Sequence, residues 1–145
     1  MVCRKQVQEM KIVIYTDGAS RGNPGQASFG FTIADENGKL LYEKGQCIGV
    51  ATNNVAEYTA VLEAFKKARE MFSGKVVHIE LFADSKLVAE QLSGRYKIKS
   101  PHLKPIIEEI KILAVELGGV VYTHIPRSKN TAADRLANLA LDNRD

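Results

Sequence analysis

Hydrophobic positions change their period twice along the chain, and the changes lay out its elements. Ile12-Val13-Ile14-Tyr15 is a short apolar run rich in β-branched residues, which predicts a central strand covered on both faces. It ends at Thr16-Asp17-Gly18, and a Gly/Asn/Pro loop follows from Arg21 to Gly25. From about Ala27 to Ala34 the pattern alternates through Phe29, Phe31 and Ile33, and Asn37-Gly38 offers a hairpin turn before Leu40 to Ile48. The first third therefore predicts a three-stranded antiparallel meander. Near residue 53 the period becomes helical: Val55, Tyr58, Leu62, Phe65, Ala68 and Phe72 recur at three- and four-residue steps until Ser73-Gly74. Val76 to Phe82 predicts a fourth strand, and a short helix runs from about Ser85 to Leu92. Ser100-Pro101 supplies an N-cap and first-turn proline for a helix striped by Leu103, Ile106, Ile107, Ile110, Leu113, Ala114 and Leu117. Val120 to Ile125 predicts a fifth strand and Thr131 to about Leu141 a last helix. The order βββ-α-β-α-α-β-α is one α/β domain with a mixed sheet.

The 145 residues suffice for one core, and 45% hydrophobic with 26% charged residues is ordinary for a globular protein. Twenty Lys and Arg against 17 Asp and Glu give a charge of +3, which permits a polyanionic partner without demanding one. The two cysteines, Cys3 and Cys47, make no disulfide scaffold and have no metal-ligand spacing, so they are expected as reduced thiols in a cytoplasmic protein. No apolar run approaches the roughly 20 residues a membrane span needs. Residues 1–9 lack the apolar centre of a signal peptide and are expected as a disordered, dispensable extension to a domain at 10–145.

Within this layout four carboxylates fall where a strand edge can gather them. Asp17 ends the first strand and Asp84 follows the fourth, so parallel neighbouring strands deliver both to one edge, where ligands of α/β sheets collect. Glu57 and Asp134 are expected in the first turns of two helices. Each has an ordinary explanation alone: a turn residue, two acids stabilised by helix dipoles, an N-cap. Together they match the chemistry of a hard divalent cation, which takes oxygen ligands. Asp35 and Glu36 flank a hairpin turn, and Glu108 and Glu109 sit mid-helix on a solvated face.

The acids sit in longer strings. Tyr15-Thr16-Asp17-Gly18-Ala19-Ser20 leading to Gly22-Asn23-Pro24-Gly25, Thr52-Asn53-Asn54-Val55-Ala56-Glu57-Tyr58, Ala83-Asp84-Ser85, and Asn130-Thr131-Ala132-Ala133-Asp134-Arg135-Leu136-Ala137 resemble type 1 ribonuclease H in order and spacing. The resemblance spans about residues 11 to 141. It implies a ribonuclease H-like α/β fold with sheet order 3-2-1-4-5 and strand 2 antiparallel. It implies an endonuclease that cuts the RNA strand of RNA–DNA hybrids with two Mg²⁺ or Mn²⁺ ions, leaving 5′-phosphate and 3′-hydroxyl ends. By motif match Asp17, Glu57, Asp84 and Asp134 take the metal-ligand positions. Gly18, Ser20, Asn23, Thr52, Asn53, Asn54, Lys86 and Asn130 take substrate contacts, although Thr52 to Asn54 also read as a helix cap. The family's auxiliary histidine falls in register with His124, but that residue also reads as the end of a strand, held and covered. Arg127, nearer the loop tip, is the favoured alternative as a mobile cation. His78 and His102 are expected as structural residues. Many members carry a basic, tryptophan-bearing protrusion after the short helix, whereas this chain has no Trp and only a short connection from Gly94 to Lys104. Arg95, Tyr96, Lys97, Lys99 and Lys104 there read equally as a reduced phosphate grip or a solvated loop. A monomer with no obligate protein partner is expected. An idle nucleic-acid-binding module on the same fold is the rival reading, against which all four acids are present.

Overall fold

The computed structural model describes residues 9–97 and 100–143. Its elements are β1 (Glu9–Gly22), β2 (Gly25–Asp35), β3 (Leu40–Ala51), α1 (Asn53–Phe72), β4 (Val76–Ala83), α2 (Lys86–Leu92), α3 (Lys104–Glu116), β5 (Val120–His124), a 3₁₀ turn (Arg127–Lys129) and α4 (Thr131–Asp142). The sheet order is β3-β2-β1-β4-β5. β1, β2 and β3 pair antiparallel in sequence, while β4 lies parallel to β1 and β5 parallel to β4.

Alternation along β2 sorts the two faces of the sheet. Phe29, Phe31 and Ile33 join Ile12, Ile14, Ile79 and Leu81 beneath α1, whose Ala60, Val61, Ala64, Phe65 and Ala68 complete one core with Ile107, Ile110 and Leu113 of α3. Ser28 and Gly30 on the opposite face meet α4, where Ser28 Oγ donates to the Ala137 carbonyl at 2.6 Å. β2 is thus the strand buried without interruption, from Ala27 to Ile33. β1, expected in that role, is fully covered on the α1 side only. Its Val13 and Tyr15 are half-buried, and Tyr15 stacks on Phe82 at 5.0 Å.

Several boundaries differ from expectation. β1 does not stop at Tyr15: pairing with β2 carries it through Asp17 and Gly18 down to Gly22 opposite Gly25. It also begins at Glu9, paired with Val76, so the ordered strand takes in the last residue of the expected extension. The rest of that extension, with Cys3, lies outside the described residues. α3 starts at Lys104 rather than Pro101, because Pro105 has no N–H to return to the residue 101 carbonyl and is harmless only in a first turn. Asn37-Gly38 forms its turn as expected, with Asp35 Oδ1 accepting from the Asn37 and Lys39 amides at 2.9 Å each. No helix among the described residues is long and apolar enough to cross a membrane.

Candidate active site

Parallel pairing of β1 with β4 sets Tyr15 beside Phe82 and Thr16 beside Ala83, so Asp17 and Asp84 leave the sheet at the same edge. The third acid arrives by a close approach of backbones. A Cβ on Gly18 would lie 2.4 Å from the Ala56 carbonyl carbon and the Glu57 nitrogen, so only glycine lets α1 lie this near to β1. Gly18 therefore acts as a spacer that seats Glu57, and it also lines the pocket around the acids. Glu57 stands in the second turn of α1, not the first. Carboxylate oxygens of Asp17, Glu57 and Asp84 all lie within 4.8 Å of one another. Asp134, in the first turn of α4, flanks this trio: its Oδ1 is 3.4 Å from Arg127 Nη2 and accepts from Asn138 Nδ2 at 3.2 Å.

Crowded acids resist ionisation. Asp17 is pushed from 3.8 up to about 8, first by burial, then by the Asp84 charge and by Asp134. Glu57 is raised well above its ordinary value by burial, then by Asp17 and Asp84. Its Oε2 is sealed from solvent with no hydrogen-bond partner. A hard divalent cation would relieve both problems, replacing the retained proton and giving the orphaned oxygen a ligand role, so the donor set fits such a metal. The folded chain keeps a proton on Asp17 that the unfolded chain releases, so metal-free stability falls as pH rises from about 4 to about 8. Mg²⁺ should therefore raise Tm more at about pH 8 than at about pH 5, where it competes with protons. Thermal melts with EDTA or Mg²⁺ at both values check this, and equal shifts would refute it.

Around the acids lies an open pocket of about 400 Å³, lined by Gly18, Ser20, Asn53 and Arg127 as well as by Asp17, Glu57 and Asp84. Arg127 is 79% exposed. His124 is also exposed, not covered as expected, and its strand pairing with Ala83 sets it at the end of β5 outside this lining. Asn130, expected as a substrate contact, is 1% exposed. It supports the site from behind, its Nδ2 donating to the Thr16 carbonyl at 2.9 Å and to Asp84 Oδ2 at 3.2 Å. Ser20 Oγ donates to the Ala51 carbonyl at 3.0 Å, and Asn23 Oδ1 accepts from the Asn53 amide at 3.1 Å, tying the β1–β2 turn to the start of α1. Thr52 caps α1 through the Val55 amide at 3.2 Å, which leaves Asn53 and Asn54 exposed. Lys86 is exposed in the first turn of α2. A second hollow of about 310 Å³ is lined by Asn23, Thr52, Asn54 and His102, which is exposed. His78 is likewise on the surface, 3.4 Å from Glu9.

Two contributors escaped the sequence reading. A Cβ on Gly30 would lie 2.3 Å from the Ala133 carbonyl oxygen, and one on Gly45 2.3 Å from that of Leu136. These glycines let α4, and Asp134 with it, settle onto β2 and β3. A glycine inside a strand pattern is the signal that marks such a contact.

Comparison with known proteins agrees with this geometry. The family described as reverse transcriptase-like matches residues 15–140. A bifunctional protein of Mycobacterium tuberculosis is 42% identical over 92% of this chain and 36% of its own length. Ribonuclease HI of Halobacterium salinarum is 40% identical over 91% of this chain and 65% of its own. This chain thus spans only about a third of the mycobacterial relative. The crystal structure of LC11-RNase H1 in complex with an RNA/DNA hybrid superposes with a TM-score of 0.86 at 45% identity, over 90% of this chain and 96% of that one. With the sheet order, the acid-bearing strings and these relatives in agreement, the chain belongs to the type 1 ribonuclease H family.

Proposed function

We propose that the chain is an endoribonuclease that hydrolyses the RNA strand of RNA–DNA hybrids with divalent metal, leaving 5′-phosphate and 3′-hydroxyl ends. The observation that carries this reading is the trio Asp17, Glu57 and Asp84, its carboxylate oxygens mutually within 4.8 Å at an open edge of the sheet. Kinship with an RNase H1 solved on an RNA/DNA hybrid supports the choice of substrate. Asp17, Glu57 and Asp84 would hold the cations, Mg²⁺ or Mn²⁺ and two of them with substrate, and Asp134 would join after leaving Arg127. Bound there, the cations supply an activated water and charge neutralisation for in-line displacement at phosphorus. Asn130 keeps Asp84 aimed at the pocket. Glu57 can also accept a hydrogen bond from a 2′-hydroxyl, the group that distinguishes RNA from DNA. Asn53 and Asn54 offer donors and acceptors to base edges without adding charge. The enzyme is taken to act as a monomer in the cytoplasm without an obligate protein partner.

Arg127 is the auxiliary cation in this reading, because it lines the pocket and touches Asp134 while His124 does neither. Arg127→Ala should lower turnover about tenfold, the worth of one charge-assisted hydrogen bond. His124→Ala should cost less, and single-turnover kinetics showing the reverse ranking would transfer the role. The functional reading itself is tested with a substrate panel of hybrid, double-stranded RNA, single-stranded RNA and DNA carrying one ribonucleotide, each with Mg²⁺ and Mn²⁺. The hybrid should be cut fastest. No cleavage of it with either metal, or faster cutting of double-stranded RNA, would overturn the assignment.

A further inference from the structure

One buried polar chain lies outside the acid cluster. Tyr58, the neighbour of Glu57 on α1, is fully buried, and its hydroxyl donates to Gln91 Oε1. Gln91, 7% exposed on α2, donates through Nε2 to the Lys97 carbonyl at 3.2 Å. The amide orientation is unambiguous, since a carbonyl can only accept and so must face Nε2. Both ends of the glutamine are therefore engaged, one by the helix that carries Glu57 and the other by the segment after α2.

That segment is folded tightly back. The amides of Arg95 and Tyr96 both donate to the Glu90 carbonyl, at 2.9 and 3.3 Å, and Arg95 pairs with the Glu90 carboxylate. Tyr96 is nevertheless 45% exposed. It forms, with Leu87 and Leu103, the apolar lining of an open groove of about 570 Å³, whose polar rim includes Asn54, Arg95 and Lys97. Asn54 borders this groove while its neighbour Asn53 borders the acid pocket, so both hollows reach the start of α1. An exposed aromatic on an apolar floor with cations at the rim suits a sugar–phosphate strand, ring against tyrosine and phosphate outward.

We propose that Gln91 is a positioning residue for nucleic-acid binding: it clasps the 95–97 segment to α1 so that Tyr96 stands as a platform for one strand of the substrate duplex. The proposal rests on the reading of the chain as a nuclease of duplex substrates. A burden follows for any test, since Gln91→Met alone strands the Tyr58 hydroxyl in the core. Removing both partners in Tyr58→Phe/Gln91→Met avoids that unsatisfied donor and keeps the fold.

Steady-state cleavage of a fluorescent RNA–DNA hybrid by the full chain, with Mg²⁺, reads the effect. Tyr58→Phe/Gln91→Met should raise KM about fivefold or more, as loss of one stacking contact does, with kcat within about twofold. Tyr96→Ala should do the same, and the combined variant should be no worse than either, since both act through one platform. Hydrogen exchange of the free protein should show the Arg95 and Tyr96 amides opening faster in the glutamine variant. An unchanged KM, additive losses, or unaltered exchange at those amides would overturn the proposal. The exchange measurement needs no substrate, so a wild-type chain inactive on hybrid would count against the functional reading and leave the clasp to be judged separately.

Discussion

Asp84→Asn should reduce cleavage of a labelled hybrid by at least about a thousandfold, roughly 4 kcal/mol of transition-state stabilisation, while leaving the fold intact. The asparagine can still turn its carbonyl oxygen toward Asn130 Nδ2, so the contact at 3.2 Å survives. What disappears is one negative charge from a cluster in which Asp84 raises both Asp17 and Glu57. Metal-free Tm should therefore stay level or rise in the variant, and the gain in Tm on adding Mg²⁺ should shrink. That opposite movement of stability and activity separates a metal-site residue from a structural one. Full activity in this variant would sink the site assignment, and an unfolded variant would show that Asp84 serves packing instead.

Gly30→Ala should be strongly damaging, because the added methyl meets the backbone of a helix. Its Cβ would sit 2.3 Å from the Ala133 carbonyl oxygen and 2.7 Å from the Ala137 nitrogen. Both are helix backbone atoms, which cannot swing aside as a side-chain tip does. α4 must retreat as a body, stretching the bond from Ser28 to the Ala137 carbonyl and carrying Asp134 off the acid cluster. A loss of about 3 kcal/mol, or on the order of 10 °C in Tm at this chain length, is expected. Turnover should fall further than the unfolded fraction explains. A variant that melts like the wild type would mean that α4 is not seated against the sheet as described.

Much of this architecture was legible because periodicity and punctuation agree. Phe29, Phe31 and Ile33 alternate as a strand must, the Val55-to-Phe72 stripe recurs as a helix must, and Ser73-Gly74 and Asn37-Gly38 stop what they were expected to stop. The acids were legible as a group, since strand ends and helix starts are places where a parallel sheet collects side chains. The misreadings share a cause. Thr16 to Gly22 carries weak strand propensity, and only the ladder to β2 holds it extended. Asn130 looks like a surface polar residue until the fold lays it against the Thr16 carbonyl. Gly30 and Gly45 matter for a helix more than 80 residues later in the chain, and pattern within a strand cannot say what lies above it.

Arg127 sits in a short arm pinned at both ends: the Ile125 amide donates to the Ala83 carbonyl at 2.9 Å, and Asn130 is bound to Thr16 and Asp84. An arm held in this way makes its guanidinium a captive counterion. Its local concentration at the pocket is set by the tether, on the order of millimolar or more, and does not fall when the protein is diluted. Raised salt can screen such a charge but cannot wash it out. In the proposed reading, the same tether would return the guanidinium to Asp134, 3.4 Å away in the free protein, after each phosphate has left.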